Sequence, residues 1–414
     1  MGRIFLGYSY IMNFMRRVRS DSEAFLLFAI CSFDLFFLLH AVSTVSISYY
    51  EARIFYDSAT ISGILTRFST EFFGQNDYAL RLPFIVCHLC SVALLYKISK
   101  PILKRKFDRV VSVLIFILLP GVLASAILVN DAGVIIFLTL LNIYFYRFDF
   151  KVLFYLSLFC LSFVGGQFLT YFIALFAFAV YKRDARLAWS AALLFAFCFY
   201  LFGFESGGKP RGYILDTISV FAVAFSPLIF VYFVYAMYRI WIKEDKDILW
   251  FVGITAFLLC VTLSIRQRLS LEDFLPFCVI ATPLIVRTFF SSYRVRLPIF
   301  RKSYKILAAF VIFSLCAGFF CVTFNEYIYK FYSEPKNHFA YSYHVAKELA
   351  QELEKRDVKT FFIADERLRL RLKFYGVKSD KDSPNVLVAS GNGQIKVVKG
   401  GVTVAKFSVI KRDI

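Results

Sequence analysis

The chain has 414 residues, of which 59% are hydrophobic and 19% aromatic, and its mean hydropathy is +0.66. A soluble domain of this length cannot bury so much apolar surface, so the composition excludes an ordinary soluble protein and predicts a membrane protein. The 48 Lys and Arg residues outnumber the 29 Asp and Glu residues and give a net charge of +19. Cytoplasmic loops account for such an excess, and no basic stretch resembles a nucleic-acid motif, so we expect membrane lipids and no nucleic acid as partners.

Apolar runs long enough to cross a bilayer recur along the chain, and each predicts one membrane span of about 20 residues. The predicted spans are 24–46, 82–99, 110–129, 132–147, 151–165, 167–181, 187–204, 213–241, 247–265, 273–290 and 305–325. The fifth and sixth spans form one continuous apolar run that is too long for a single untilted helix. Gly165-Gly166 near its middle predicts a turn, which gives about 11 spans in total.

Lys and Arg residues are unevenly shared between the two sets of connecting segments. With the N-terminus inside, the inside segments carry 24 Lys and Arg residues and the outside loops carry seven, among them Lys209 and Arg211. Because cytoplasmic loops collect these residues, the bias predicts a cytoplasmic N-terminus and an outer C-terminus. All nine cysteines lie within apolar runs, which indicates buried side chains and no disulfide framework.

The first outside loop, 47–81, is much longer than the other outside connections. It opens with SYYEARIFYD, which places Glu51 and Asp57 just after the first span. Within it, apolar residues at helical spacing predict an amphipathic helix at 58–75 that rests on the membrane surface. Long ordered loops between helices are often functional, so we expect the chemistry of the protein here.

The segment 326–414 differs from the preceding spans in its residue pattern. YSYHVAKELAQELEKR has helical spacing, while KTFFIA, NVLVA, QIKVV and VAKFSVI predict short strands separated by turn residues. The sequence thus predicts an α-helical polytopic module over 1–325, with its loop 47–81, followed by a small C-terminal α/β domain over 326–414.

Three stretches together resemble a known family. YEARIFYD is followed by GQNDYALRLPFIVCHLCSVALLYKISKPILKRKFDR and LPGVLASAILVNDAGVIIFLTLLNIYFY, and later by SIRQRLSLEDFLPFCVIATPLIV. In order and sidedness they resemble the GT-C glycosyltransferases related to protein O-mannosyltransferases and to the bacterial aminoarabinose transferase of lipid A (family 39-like enzymes). The likeness covers most of 24–325.

The resemblance implies a glycosyltransferase of the bacterial inner membrane, with the C-terminal domain in the periplasm. Such enzymes move a sugar from a polyprenyl-phosphate-linked donor to a lipid, glycan or protein acceptor at the periplasmic face. The reaction needs a carboxylate that takes the acceptor proton and cations that stabilise the departing phosphate. The sequence names no cofactor and no metal ligand set, and it leaves a divalent metal open.

The resemblance also implies roles for particular residues. Glu51 is the first choice for the acidic catalytic residue, although Tyr50 stands where the family has the first acid of a pair. Glu51 acts alone, or Asp57 assists, or the activity is lost. The phosphate-binding and substrate-binding candidates are Arg53, Arg81, Asp131, Arg266 and Arg268. Arg53 and Arg81 either bind phosphate or orient the acid. Asp131 either pairs with an arginine or caps the fourth helix.

Asp34 keeps a different function open. It lies in the middle of the first span, with His40 six residues later, and an ionisable residue in hydrocarbon is a functional candidate. The alternative is therefore a multispan transporter or flippase of lipid-linked or small anionic substrates. A polysaccharide polymerase or ligase would also use outer loops and lipid-linked sugars, and a purely structural role would fit a site that Tyr50 has inactivated.

Overall fold

The structure is a computed structural model, and it describes residues 2–203, 212–356, 360–380, 383–390 and 392–411, with side chains from Glu23 onward except that of Leu271. Lys209, Arg211 and the last residue of the predicted span 187–204 lie outside the described residues. Helices dominate up to residue 323. They are α1 (Gly2–Thr44), α2 (Tyr49–Asp57), α3 (Ile61–Phe73), α4 (Asp77–Ser99), α5 (Lys106–Leu118), α6 (Pro120–Ile127), α7 (Asp131–Arg147), α8 (Lys151–Leu161), α9 (Phe168–Lys182), α10 (Ala185–Phe202), α11 (Ile214–Phe225), α12 (Pro227–Lys243), α13 (Ile248–Ser264), α14 (Leu275–Val279), α15 (Thr282–Val295) and α16 (Pro298–Thr323).

A helix or a pair of helices lies at each of the eleven predicted span positions. By length and composition, five helices in the described part of the chain can cross a membrane, or up to seven if each bent pair counts as one span. Three shorter apolar helices, α8, α9 and α13, lie at further predicted positions. The chain is therefore a multi-pass membrane protein, while the number of crossings stays a prediction. The break between α8 and α9 falls at residues 162–167, where the Gly-Gly turn was predicted.

Two predicted spans are broken where the sequence analysis expected continuous helices. The pair α5 and α6 bends by 62°, and the pair α11 and α12 bends by 105°. Each second helix begins with a proline at its first turn, Pro120 and Pro227 respectively. Proline disfavours a helical conformation at the residue before it and cannot donate to the preceding turn, so the helix axis changes direction there.

The helical bundle has two ends with separate sets of charged side chains. Helix α4 has 23 residues and is about 34 Å long, and it connects the site end, which carries residues 47–81, to the far end, which carries Ser99. The far-end ion pairs are Glu23–Arg109, Glu23–Lys100, Asp108–Arg294, Arg147–Asp247 and Glu244–Arg287. The main site-end pairs are Glu51–Arg81, Asp77–Arg81 and Asp77–Lys347. Each pair joins residues predicted on the same side of the membrane, which agrees with the predicted sidedness.

The C-terminal segment folds around an apolar core of its own, which includes Leu349, Leu353, Phe361, Val397 and Phe407. After 3-10 turns at Asn325–Phe331, Pro335–Asn337 and Tyr341–Tyr343 it forms α17 (Ala346–Glu354), β1 (Thr360–Phe361), α18 (Glu366–Phe374), β2 (Lys378–Ser379), β3 (Asn385–Ala389), β4 (Ile395–Lys399) and β5 (Val402–Lys411). The order β3-β5-β4 is antiparallel, and β1 pairs with β2 in parallel. The four predicted strands are present, whereas α18 was not predicted.

The C-terminal segment is docked on the first loop. Phe374 packs in an apolar cluster with Ile47, Ala52 and Leu80. The Arg371 guanidinium donates from Nε to the Ile47 carbonyl at 3.0 Å, and Lys399 Nζ donates to the carbonyl that ends α1, that of Thr44, at 2.7 Å. These contacts hold the loop that forms the candidate site against both the bundle and the C-terminal segment.

Candidate active site

Helix α2 begins with a capping box that fixes Glu51 in place. The Ser48 hydroxyl accepts from the Glu51 N–H at 3.2 Å, and Glu51 Oε2 accepts from the Ser48 N–H at 2.8 Å. This reciprocal pair satisfies two N–H groups that the start of a helix otherwise leaves without partners. The sequence pattern Ser48-x-x-Glu51 carries this signal.

The Glu51 carboxylate is buried, with 2% of the residue exposed, and it is fully hydrogen-bonded. Oε1 accepts from the Val129 N–H at 2.9 Å, and Arg81 Nη2 lies 3.2 Å from Oε1 and 3.1 Å from Oε2. With the Ser48 N–H, four hydrogen bonds occupy the roughly four acceptor positions of a carboxylate. Glu51 therefore joins α2, α4 and the α6–α7 connection at one point.

Arg81 lies in the interior behind Glu51, where it has no exposed surface. Its guanidinium also donates to the carbonyls of Val45 and Ser46 and lies 3.5 Å from Asp77. The sequence offered Arg81 as a phosphate ligand or as a residue that orients the acid, and the structure places it where it orients Glu51 and the end of the first span. A role of Arg81 in binding phosphate stays a prediction.

Asp77 extends this network to the C-terminal segment. The Tyr375 hydroxyl donates to Asp77 Oδ1 at 2.6 Å and accepts from the Ile47 N–H at 2.9 Å, and Lys347 Nζ lies 3.1 Å from Asp77 Oδ2. Burial, followed by the negative charge of Asp77, raises the pKa of Tyr375 well above its usual value, so its hydroxyl stays protonated and donates. The C-terminal segment thus acts on Glu51 through Asp77 and Arg81.

Helices α2 and α3 meet at a tight corner beside this network. A Cβ at Gly63 would lie 2.7 Å from the Ile54 carbonyl oxygen and 2.8 Å from that of Ser58, so only glycine permits the approach. Arg67 Nη1 donates to the carbonyls of Phe55 and Ser58 at 3.0 and 2.9 Å. These contacts fix the orientation of α2 relative to α3, and with it the direction in which the exposed side of α2 faces.

A cleft of about 570 Å³ opens at the site end, next to Glu51. Five segments form its walls: α2, the α2–α3 corner, the α6–α7 connection, the turn before α14, and the C-terminal segment. The lining residues are Tyr50, Glu51, Arg53, Ile54, Asp57, Ser58, Ala59, Leu128, Val129, Asn130, Glu272 and Tyr343. The cleft combines three carboxylates with one arginine, which suits proton transfer next to an anion.

Glu272 is the acidic residue of this cleft that the sequence analysis missed. It lies in the 3-10 turn Leu271–Asp273, it is exposed, and it lines the cleft. The surrounding walls displace part of its water, and this partial burial, followed by the negative charges of Asp273 and Asp131, raises the pKa of Glu272. A carboxylate with a raised pKa is a stronger base than an ordinary one. The sequence signal was its position after SIRQRLSL, at the edge of the predicted span 273–290.

Arg53 and Asp57 lie on the exposed side of α2 and line the cleft. The Arg53 side chain forms no ion pair or hydrogen bond with any residue that the structure describes, so it is available to an anion. Tyr50, at the position of the family's first acid, is 73% exposed at the cleft. The structure therefore brings Glu51, Arg53 and Asp57 together, as the sequence suggested.

Arg266 and Arg268 lie outside the cleft lining, in the segment that leads from α13 to Glu272. Both residues are exposed, and neither pairs with a carboxylate in the described part of the chain. Their predicted role in binding donor phosphate stays a prediction.

Asp131 is at the first position of α7, and it is not the cap of that helix. The N-cap is Asn130, whose side chain accepts from the Ala132 N–H at 3.0 Å. Asp131 instead accepts a hydrogen bond from the Ser62 hydroxyl and has no arginine partner among the described residues. Both alternatives weighed for Asp131 are corrected here: it connects α3 to α7 and adds negative charge near Glu272.

Tyr343 is the contribution of the C-terminal segment to the cleft wall. Its carbonyl accepts from the Ser46 N–H at 2.6 Å and from the Ser46 hydroxyl at 2.8 Å. Burial, followed by the charge of Glu51, raises the pKa of Tyr343 to about 12, so it is a hydrogen-bond donor at neutral pH.

Helix α3 has the amphipathic character predicted for 58–75. Its small polar residues, including Ser62 and Thr66, are buried, whereas Ile64, Phe68 and Phe72 are 55–69% exposed. An exposed apolar face of this kind is typical of a helix that lies against lipid.

Asp34 is paired with His88 and not with His40. Its Oδ2 lies 2.8 Å from His88 Nε2, and both residues are buried in the bundle. His40 contacts the Phe324 ring instead. Within the described residues, no group of three or more His, Cys, Asp and Glu side chains could hold a metal ion.

A family profile described as dolichyl-phosphate-mannose-protein mannosyltransferase matches residues 57–204. The fold is similar to that of ArnT from Cupriavidus metallidurans. Its crystal structure bound to undecaprenyl phosphate has a TM-score of 0.56 and 12% identity over 87% of this chain and 86% of that one. Its apo crystal structure has a TM-score of 0.55 and 12% identity over 88% and 92%. No curated protein matched the chain by sequence. The predicted resemblance to GT-C glycosyltransferases is thus confirmed for the fold.

Proposed function

We propose that this protein transfers a sugar from a polyprenyl-phosphate-linked donor to a lipid, glycan or protein acceptor. One observation carries the proposal: carboxylates and a free arginine meet in a cleft at one end of a membrane-embedded bundle. The fold is shared with ArnT, whose crystal structure was solved bound to undecaprenyl phosphate. A lipid-linked donor would place its chain along the exposed apolar helices and its phosphate and sugar at the cleft.

The reaction requires one proton transfer and one leaving group. An acceptor hydroxyl attacks the anomeric carbon and gives its proton to a carboxylate, while the bond from that carbon to the phosphate oxygen breaks. The electron pair of that bond leaves with the polyprenyl phosphate, whose negative charge grows. A carboxylate base and a guanidinium at the phosphate are therefore the groups that the cleft must supply.

We assign the base to Glu272. The Glu51 carboxylate has its acceptor positions occupied by Ser48, Val129 and Arg81, so it has no free position for an incoming proton. Glu272 faces the cleft with a raised pKa, which makes it the better acceptor. Asp57 is the second exposed carboxylate of the cleft. Under this proposal Glu51 positions α2 and is not the base, in contrast to the role that the sequence analysis expected for it.

Arg53 is the proposed phosphate ligand. It lines the cleft, it is exposed, and no described carboxylate neutralises it. A guanidinium presents a planar set of donors that fits a phosphate, and its charge opposes the charge that develops on the leaving group. Arg266 and Arg268, in the segment before Glu272, add positive charge on the approach to the cleft.

We place the cleft on the periplasmic side of the inner membrane, with the N-terminus in the cytoplasm. The excess of Lys and Arg at the far end supports this orientation. Nucleotide sugars are made and used in the cytoplasm, so an enzyme facing the periplasm needs a donor whose sugar is carried by a lipid.

Mass spectrometry of envelope glycolipids and glycoproteins tests this function in cells. Cells that lack the protein should lose one hexose or amino-sugar mass from a glycolipid, glycan or protein, and wild-type protein should restore it. Glu272→Gln should fail to restore it, whereas Glu366→Gln, which changes an exposed glutamate of the C-terminal segment, should succeed. An unchanged profile in cells without the protein would refute the proposal.

The buried Asp34–His88 pair is the observation that favours a transporter as the second candidate. Ionisable groups at this depth often form proton or ion pathways. If the protein is a transporter, the glycolipid and glycoprotein profile of cells should change when Asp34 is replaced and stay unchanged when Glu272 is replaced.

A further inference from the structure

A second cleft, of about 430 Å³, lies at the far end of the bundle. Arg105 stands just before α5, Phe290, Tyr293 and Arg294 lie on α15, and Arg301 lies in the first turn of α16. Together with Phe107 these residues line the cleft, and no acidic residue lines it. The length of α4 separates it from the candidate active site by about 34 Å.

The positive charge of this far-end cleft is only partly neutralised. Arg294 pairs with Asp108 through both carboxylate oxygens, at 2.5 and 2.7 Å. Arg301 has no carboxylate partner in the described part of the chain, and it donates to the carbonyls of Arg296 and Arg294 at 2.8 and 3.2 Å. Arg105 makes no side-chain bond with a described residue. Three arginines line this one cleft and repel one another, so the fold holds a local charge excess that an anion would relieve.

Aromatic rings shape the cleft and orient its arginines. The Arg294 guanidinium lies 4.9 Å from the centre of the Phe290 ring, and the Arg301 guanidinium lies 5.7 Å from that of Tyr293. The Phe107 and Phe290 rings pack edge to face at 5.8 Å. Ring contacts of this kind hold the two guanidinium groups at fixed positions, and Nη1 of Arg301 makes no hydrogen bond with a described residue.

Exposed apolar side chains lie on the same helix faces as two residues of the cleft. Leu114 is seven residues after Phe107 on α5, and Ile312 is eleven residues after Arg301 on α16, so each shares a face with a residue that lines the cleft. Phe107, Leu114 and Ile312 are 66%, 39% and 52% exposed, as expected of side chains that contact acyl chains. Because these side chains follow the cationic cleft along α5 and α16, a fitting ligand has an anionic headgroup and hydrocarbon chains.

We propose that the far-end cleft binds the phosphate headgroup of an anionic phospholipid, with the acyl chains along the exposed apolar side chains of α5 and α16 that follow the cleft. Arg105 and Arg301 contact the phosphate, and the aromatic rings enclose the headgroup. Basic sites between transmembrane helices bind anionic headgroups in this way, and each basic residue near such a lipid contributes on the order of a fivefold change in affinity. The site is independent of the proposed glycosyl transfer.

The test uses the full-length protein in detergent after removal of bound lipid. Thermal unfolding is followed while phosphatidylglycerol, phosphatidylcholine or inorganic phosphate is added. Phosphatidylglycerol should raise the unfolding temperature of the wild type, and the other two should not. Arg105→Gln should weaken the apparent affinity about fivefold, and Arg105→Gln with Arg301→Gln on the order of 25-fold.

The matched control is Arg186→Gln, which removes an exposed arginine at the same predicted side of the membrane but away from the cleft. It should bind phosphatidylglycerol as the wild type does. Because the Arg105 side chain has no described partner, its replacement does not disturb the fold, so an unchanged affinity of Arg105→Gln would overturn the proposal. Equal effects of phosphatidylcholine, an equal effect of inorganic phosphate alone, or an equal loss in Arg186→Gln would also overturn it.

Discussion

The carboxylate of Glu51 and the guanidinium of Arg81 form an ion pair that solvent does not reach. Arg81 Nη2 lies 3.1 and 3.2 Å from the two carboxylate oxygens, and the exposed fractions of the residues are 2% and 0%. Through this pair the first turn of α2 is tied to α4, and through Asp77 it is tied to the C-terminal segment. The cleft therefore depends on contacts that lie behind it.

Replacing Arg81 tests whether the pair is structural. Arg81→Gln leaves Glu51 as a buried carboxylate without its cation and removes one of the two cations beside Asp77, and breaking such a pair costs about 3–5 kcal/mol. Thermal unfolding in detergent should show a large loss of stability. Arg53→Gln is the matched control, because Arg53 is exposed and unpaired in the described chain, so its stability should change by less than about 0.5 kcal/mol. Equal stabilities of the two variants would contradict this account.

Tyr375→Phe tests the connection between the C-terminal segment and the loop. The change removes a donor to Asp77 and leaves the Ile47 N–H without its acceptor, which costs about 1–3 kcal/mol. Limited proteolysis should therefore cut the C-terminal segment faster than in the wild type. Tyr56→Phe removes a hydroxyl with one long, exposed hydrogen bond from Gln75 and should be cut at the wild-type rate. If Tyr375→Phe resists proteolysis as well as the wild type does, the Tyr375 hydroxyl does not stabilise the docking of the C-terminal segment.

The burial of His344 predicts that the folded protein loses stability in acid. Burial, followed by the nearby positive charge of Lys399, lowers the pKa of His344 to about 3. Since the pKa in the unfolded chain is about 6.5, the unfolded chain takes up the proton first as the pH falls. The contribution of neutral His344 to the free energy of unfolding is therefore fully present above about pH 6.5 and is lost as the pH falls toward 3. By pH 4 the loss is on the order of 3 kcal/mol. Unfolding of the C-terminal segment between pH 7 and pH 4 should show this decline in the wild type and a smaller one in His344→Gln. Identical pH profiles would count against it.

Asp34→Asn separates glycosyl transfer from transport. An asparagine can keep the hydrogen bond to His88 Nε2, so under the proposed function we expect sugar transfer within a few-fold of the wild type. The glycolipid profile of cells that carry the variant measures this. A complete loss of the modified glycolipid, with Asp34→Asn protein still present in the membrane, would favour the transporter.

The bundle could be predicted from the sequence because each span must be an apolar run of bilayer length. The breaks at Pro120 and Pro227 were also visible as prolines, but whether a proline bends a helix depends on neighbouring helices that one apolar run does not reveal. Helix α18 was missed because RLRLRLKF alternates apolar and charged residues, a pattern typical of strands. The helical conformation of this segment is stabilised by tertiary contacts, such as that of Phe374 with the first loop.

The site was predicted only in part. Glu51, Arg53 and Asp57 are close in sequence, so a single helix brings them to one place. The burial of Glu51 could have been suspected from the capping-box pattern that Ser48 begins. Arg81 was named from the sequence, but it is 30 residues from Glu51, so only the packing of α2 against α4 shows that the two side chains pair. Glu272 is farther still, and only the packing of the turn before α14 places it in the cleft. No local feature of the sequence distinguishes Glu272 from Asp273.

The most direct measurement is donor turnover by the purified protein. Undecaprenyl-phosphate-linked hexose and amino-sugar donors are mixed with an envelope extract that contains acceptors, and released undecaprenyl phosphate is quantified as a function of pH. The wild type should consume one donor, with an acid limb above the usual pKa of a glutamate, because the base must be ionised and its pKa is raised. Glu272→Gln should be slower by about 100-fold or more, and Glu366→Gln should match the wild type. Wild-type turnover by Glu272→Gln, or no turnover of any donor by the wild type, would contradict the account.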